Sequence, residues 1–196
     1  MENLWRIGDE NVADEQENRL NGQTGADEKN AAAADRDGGS GALPFLGFLG
    51  SYTHGIDAKG RMIIPASFRE PLGSRFAVCP TPDFKAVALY PIEGWIKRRD
   101  ELLSLLEIDA RLQPLVDQFS KYSFADCESD AQGRLLLPQK IRAWRLGDAR
   151  EVDVNGAVSH VRILPASVSR EQDRRFDETF DDVLGMIAEI QKKQSF

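Results

Sequence analysis

Two short segments carry the residues best equipped for chemistry, and each is a copy of the other. Asp57-Ala58-Lys59-Gly60-Arg61-Met62-Ile63-Ile64-Pro65 recurs 73 residues later as Asp130-Ala131-Gln132-Gly133-Arg134-Leu135-Leu136-Leu137-Pro138. Asp, Ala, Gly, Arg and Pro are retained, and the three apolar positions exchange one apolar residue for another. A guanidinium at the tip of a turn can bond a guanine edge or a carboxylate bidentately, and a lysine there reaches phosphates or base edges. Lys59 and Arg61 in the first copy, with Gln132 and Arg134 in the second, are therefore candidate DNA contacts; Gln132 keeps a hydrogen-bonding side chain but loses the charge. An aspartate four residues ahead of an arginine across a tight turn bonds the turn backbone and holds the arginine head. Asp57 and Asp130 are read in that arm-orienting role. Arg61 and Arg134 stay open between direct DNA contact and an ion pair inside their own unit.

Arg69 and Arg142 stand four residues after the matching prolines, and Lys140 lies beside them in the second copy. They suit phosphate contact and are equally ordinary as solvated helix residues. The copies are the basic parts of the chain: residues 56–75 carry a net +2 and residues 129–145 a net +3. The whole chain is acidic, with 25 Lys and Arg against 32 Asp and Glu, but residues 1–44 alone account for −6 of the net −7. Charge distribution, not total charge, decides whether nucleic acid is a partner, so the acidic total does not exclude DNA.

Other chemistries find little support. There is no phosphate-cradling glycine motif, and neither His54 nor His160 sits in a nucleophile and base arrangement. Cys79 and Cys127 form no CxxC pair and have no metal-ligand spacing to a histidine, so reduced thiols are expected and no metal or cofactor. No apolar run approaches the ~18 residues that span a bilayer, and the N-terminus lacks the features of a secretory signal, so export is not expected.

The elements that must hold these residues follow from pattern. In each copy an extended lead-in meets the turn, whose Gly60 or Gly133 supplies a positive φ, and a short apolar strand leaves it and stops at Pro, giving a β-hairpin arm. A helical turn follows, ending at Gly73 or Gly147, and then two strand-like runs: 76–79 and 86–90 in the first copy, 151–154 and 160–164 in the second. A unit of about 45 residues buries too little apolar surface to stand alone, so two must pair. The expected organisation is an acidic, disordered tail over 1–44, a first unit over 46–93, a helical linker over 94–123, a second unit over 124–167 and an amphipathic helix over 168–196. In the linker, Asp109 is a candidate N-cap and Pro114 delays or kinks the second helix. At the C-terminus Phe176, Phe180, Val183, Leu184, Ile187 and Ile190 share one helical face. The linker and C-terminal helices either cover the β core or supply an interface between subunits.

The paired arms, the Phe48-Leu49-Gly50-Ser51-Tyr52 lead-in, Leu89-Tyr90-Pro91 with Trp95 behind it, and Phe124-Ala125 before the second arm together resemble the MraZ family of bacterial transcriptional regulators, over roughly residues 46–175. The resemblance implies an α+β fold of tandem-duplicated AbrB-like swapped-hairpin β units, a pseudo-dimeric β-barrel, with linker helices and a C-terminal helix. It further implies a ring-shaped homo-oligomer that binds double-stranded DNA at direct repeats upstream of its own operon in the division and cell-wall gene cluster, as a repressor. Such a protein is cytoplasmic and nucleoid-associated, is no enzyme, and has no cofactor, membrane or small-molecule partner. The resemblance tips Arg61 toward DNA and favours the first arm. Two features depart from it: the long N-terminal extension, whose charge would repel phosphate, and a last strand reading Val161-Arg162-Ile163-Leu164-Pro165 where relatives tend to have an acidic-Ile-Trp ending. The rival readings are an enzyme, and an oligomeric interaction module or AbrB-like antitoxin.

Overall fold

The computed structural model describes residues 45–194. The tail expected over 1–44 lies outside the described residues. Fourteen elements follow in chain order. The first copy supplies β1 (Ser51–Gly55), β2 (Arg61–Ile63), α1 (Ala66–Leu72), β3 (Phe76–Pro80) and β4 (Val87–Pro91). Then come α2 (Ile92–Ile108), a 3-10 turn (Ala110–Leu112) and α3 (Gln113–Lys121). The second copy supplies β5 (Phe124–Cys127), β6 (Arg134–Leu136), α4 (Gln139–Arg145), β7 (Glu151–Gly156) and β8 (Val161–Pro165), and α5 (Ala166–Gln194) ends the described chain.

Six strands form one antiparallel sheet in the order β1-β7-β8-β4-β3-β5, and β2 pairs with β6 in a separate two-stranded ladder. The two copies exchange strands. β1 of the first copy pairs with β7 of the second, Tyr52 opposite Val154, and β5 of the second pairs with β3 of the first, Val78 opposite Phe124. The architecture is thus α+β, as expected, but the sheet is open, with β1 and β5 as its edges, and is not the closed barrel expected. Closure fails for a physical reason. β2 and β6 have three residues each between a turn and a proline; each is used up in pairing with the other, and Pro65 and Pro138 have no N–H to extend a ladder. The expected hairpin arms are met only next to the turns, where Ser129 also bridges Leu135 in the second copy. Asp57 N donates to Arg61 O at 2.9 Å and so closes the turn, but β1 and β2 then diverge to different partners.

The core explains why the central strands read as continuous apolar runs. Along β4, Val87 and Leu89 face one cluster with Phe68, Met62, Ile64, Leu135, Leu137 and Ile141, while Ala88 and Tyr90 face the other side with Leu102, Val116 and Phe119. Period two puts alternate residues on opposite faces, and both faces are covered. The linker helices α2 and α3 therefore cover the sheet, with Leu102 1% exposed, as the core reading of that segment holds. Asp109 caps the 3-10 turn by accepting from Arg111 N at 3.0 Å, and α3 begins only at Gln113, just ahead of Pro114. Among the described residues no helix is long and apolar enough to cross a membrane.

Candidate nucleic-acid interface

The two turns are built alike. In the first, Asp57 Oδ1 accepts the N–H groups of Lys59 and Arg61, each at 2.9 Å, and Oδ2 takes Arg61 Nε at 2.7 Å and Nη2 at 2.7 Å. In the second, Asp130 Oδ1 accepts from Gln132 N at 3.0 Å and Arg134 N at 2.9 Å, and Oδ2 takes Arg134 Nε at 2.7 Å. These bonds, the backbone N–H of the arginine first, hold both carboxyls below the usual aspartate value, so both are ionised at neutral pH. Asp57 and Asp130 thus each bond both the turn backbone and the arginine head. Arg61 and Arg134 do form the intra-unit ion pair, but at a surface: their side chains are 33% and 36% exposed. Each pair spends two or fewer of the five guanidinium donors on one edge and leaves the rest directed away from the carboxylate.

The remaining cations are brought in crosswise. Arg69, from α1 of the first copy, lies against Gly133 of the second turn, and its Nε donates to Ile64 O at 2.8 Å. Arg142, from α4 of the second copy, lies against Gly60 of the first turn. A β-carbon on either glycine would overlap the guanidinium, so Gly60, at φ +82°, and Gly133, at φ +77°, do more than form turns. Each turn is also tied to the other copy's outgoing strand: Leu137 N donates to Gly60 O at 3.1 Å and Ile64 N to Gly133 O at 2.8 Å. Arg69 and Arg142 are accordingly half-buried struts between copies, neither free helix-surface residues nor freely extended toward phosphate. Lys59 and Gln132 sit exposed at the tips. Lys140 is not gathered with them; its Nζ stands 6.0 Å from the Tyr122 ring, which stacks on Trp144 at 3.9 Å.

Two residues of this surface were missed by sequence reasoning. In the β2–β6 ladder, Arg61 pairs with Leu136 and Ile63 with Arg134. Met62 and Leu135 point inward, each 1% exposed, while Ile63 and Leu136 are exposed on the outer face at 43% and 59%. The alternation Arg-Met-Ile-Ile and Arg-Leu-Leu-Leu held the signal: the residue two after each arginine shares its face. The ladder's outer face thus presents two arginines and two aliphatic side chains, arranged about a local two-fold. Among the described residues no group of histidines, cysteines and carboxylates could hold a metal ion.

Comparison with known proteins bears on this arrangement. The family model described as MraZ protein, antitoxin-like, matches residues 48–114. The transcriptional regulator MraZ of Moorella thermoacetica is 37% identical over 139 residues, which cover 68% of this chain and 92% of that protein. The chain belongs to the MraZ family. MraZ proteins of Desulfitobacterium hafniense and Desulforamulus reducens, also named transcriptional regulators, are 36% and 35% identical over 91% and 95% of their lengths. The similarity to MraZ extends past the 67 residues of the family match and is too long to rest on one of the two copies.

Proposed function

We propose that this chain is a transcription regulator that reads double-stranded DNA with the outer face of the β2–β6 ladder and its two flanking turns. The observation that carries the reading is the duplicated, carboxylate-held arginine: Arg61 and Arg134 are presented on one face of one ribbon, preorganised by Asp57 and Asp130. A two-stranded ribbon has the width to enter a major groove, a guanidinium fixed along one edge still offers N–H groups to a guanine, and exposed Ile63 and Leu136 suit a thymine methyl. Lys59 adds a phosphate contact at the first turn. The exchange of β1 and β5 between copies supports the swapped-hairpin description of each unit. The names of the relatives support regulation of transcription as the role.

In this reading the chain acts in the cytoplasm on the nucleoid, assembles as a ring-shaped homo-oligomer and represses its own operon at direct repeats. Head-to-tail subunits present arms at a regular spacing, and several weak contacts engaged together raise the apparent affinity. The test is binding of the full chain to the DNA upstream of its gene and to a scrambled control, with Arg61→Ala beside it, across a salt series. A regulator discriminates the two DNAs by at least about tenfold and loses affinity with a slope near −0.9 per phosphate contact, and Arg61→Ala abolishes the discrimination. Equal binding of both DNAs at low salt only, or none, overturns the reading in favour of an interaction module.

A further inference from the structure

The helix that lends Arg142 to the first turn has a second basic face. Two positions apart in a helix, Lys140 and Arg142 face opposite ways, and Lys140 turns with Trp144 toward Tyr122. The Tyr122 and Trp144 rings stack at 3.9 Å between centroids, with 20° between their planes. Lys121 Nζ stands 5.3 Å and Lys140 Nζ 6.0 Å from the Tyr122 centroid, and Arg145 Cζ lies 3.4 Å from that of Trp144. Three cations thus share one aromatic shelf. Among the described residues none of the three has a carboxylate within 4 Å. Asp83, whose charge reaches Arg145, is held by Arg162 at 3.4 Å; Asp117, one turn before Lys121, accepts from Gln113 at 2.7 Å; Asp126 pairs with Arg75 at 3.4 Å. Arg145 is also short of hydrogen bonds, since its Nε is buried without a partner.

The other copy has no such shelf. The 73-residue repeat sets Ser67, Pro71 and Leu72 of α1 at the positions of Lys140, Trp144 and Arg145, and Leu49 at that of Tyr122. The Ser67 hydroxyl instead bonds that of Tyr52 at 3.0 Å, and Leu72 is buried. Because α4 packs against the first turn and α1 against the second, this difference falls on the two ends of the ladder. Lys59 and α4 together carry four cations and no acid, whereas Gln132 and α1 carry Arg69 against Glu70. Asp148, beside the first turn, is matched there by Arg150.

We propose that Lys121, Lys140 and Arg145 bind the phosphate backbone of the duplex just outside the stretch that the ribbon reads, on the Lys59 side only. The proposal rests on the reading of the ribbon as the element that enters DNA. Phosphodiesters suit this shelf. Ammonium groups on flexible stems meet phosphates as point charges, and a guanidinium flat against an indole has already lost water from one face, so an anion costs it little further desolvation. Position suits them too. An α-helix is about 10 Å across and the major groove about 12 Å wide, so a cation across α4 from the first turn stands about as far from the ribbon as the flanking sugar-phosphate ridge does from the groove it borders. The shelf is continuous with the ribbon through Arg142, which favours the same duplex over a separate acidic partner.

The test is binding of the full chain to the DNA upstream of its gene and to a scrambled control across a salt series. One variant joins Lys121→Gln to Lys140→Gln; another joins Lys97→Gln to Lys193→Gln, the same loss of charge elsewhere. All four lysines are exposed, so the fold is kept. The shelf variant should make the slope of log affinity against log salt shallower by about 1.8, from two phosphate contacts, and equally on both DNAs, so that discrimination between them survives. The control variant should keep the parent slope. An unchanged slope in the shelf variant, an equal change in the control variant, or loss of discrimination overturns the proposal. If the parent discriminates and Arg61→Ala abolishes that while the shelf variant keeps the parent slope, the shelf alone fails. A parent that binds neither DNA overturns the ribbon reading and the shelf with it.

Discussion

Gly60→Ala separates the two duties of the turn glycine. The backbone at Gly60 has φ +82°, where a β-carbon costs about 1 kcal/mol in any surroundings. Gly147, at φ +55° with nothing within 4 Å of an added β-carbon, carries that cost alone and serves as the internal control. At Gly60 the methyl also collides with the Arg142 guanidinium, so the arginine must leave the turn and give up its stem packing, about 1 kcal/mol more. Urea unfolding of the full chain should show Gly147→Ala losing about 1 kcal/mol and Gly60→Ala about 2. In an Arg142→Ala background the cost of Gly60→Ala should fall back to about 1, a coupling of about 1 kcal/mol between residues 82 positions apart. Equal costs at the two glycines, or additive effects of Gly60→Ala and Arg142→Ala, would refute the crosswise strut.

Two further outcomes follow from buried titratable groups. His160 stacks on Tyr90 at 4.7 Å between ring centroids, and burial, with the nearby Arg162, pushes its pKa down to about 4. Unfolded, it takes up a proton near pH 6.5 and the folded chain does not, so its contribution is full above pH 6.5 and is lost as pH falls toward 4, by about 3 kcal/mol in all; urea midpoints at pH 7 and pH 4.5 should converge in His160→Gln relative to the parent. Burial raises the thiol pKa of Cys79 strongly and that of half-buried Cys127 less, so a thiol reagent at pH 8 should modify Cys127 first and Cys79 only on unfolding, read by mass of the labelled peptides.

What could be read from the sequence was local. Asp-x-x-Gly-Arg predicts a turn because Asp bonds backbone N–H groups two and four residues on and Gly accepts positive φ, and both turns have those bonds. Pro114 predicts a delayed second linker helix because it lacks a donor, and α3 starts beside it. What was not legible is non-local. Nothing within Arg61–Ile63 says that it pairs with Arg134–Leu136 and not with β1, because three-residue strands carry too little pattern to choose a partner. The cross-copy contact of Arg69 with Gly133 depends on that pairing and was hidden with it. The C-terminal stripe shows the remaining limit: a 3.6-residue period announces an apolar face but not its occupant, and here that face is exposed, whereas the linker buries Leu102, Val116 and Phe119 and leaves Ile96 and Leu103 exposed.

Carrying both copies in one chain has a consequence that two separate copies would forbid. A dimer of one unit has identical arms, whereas here the ladder keeps a local two-fold while the turns it joins have diverged, Lys59 at one tip and Gln132 at the other. The frame tolerates this because the bonds that build each turn run through Asp, Gly and Arg, which are the same in both, and the tip residue contributes only its backbone N–H. The tip side chain is therefore free to vary without disturbing the fold. On the proposed reading, one arm carries an extra phosphate contact and the other a neutral hydrogen-bonding group, so the ribbon has a direction on DNA. Direction is what direct repeats require: head-to-tail subunits meet each repeat in the same orientation only if each subunit distinguishes its two ends.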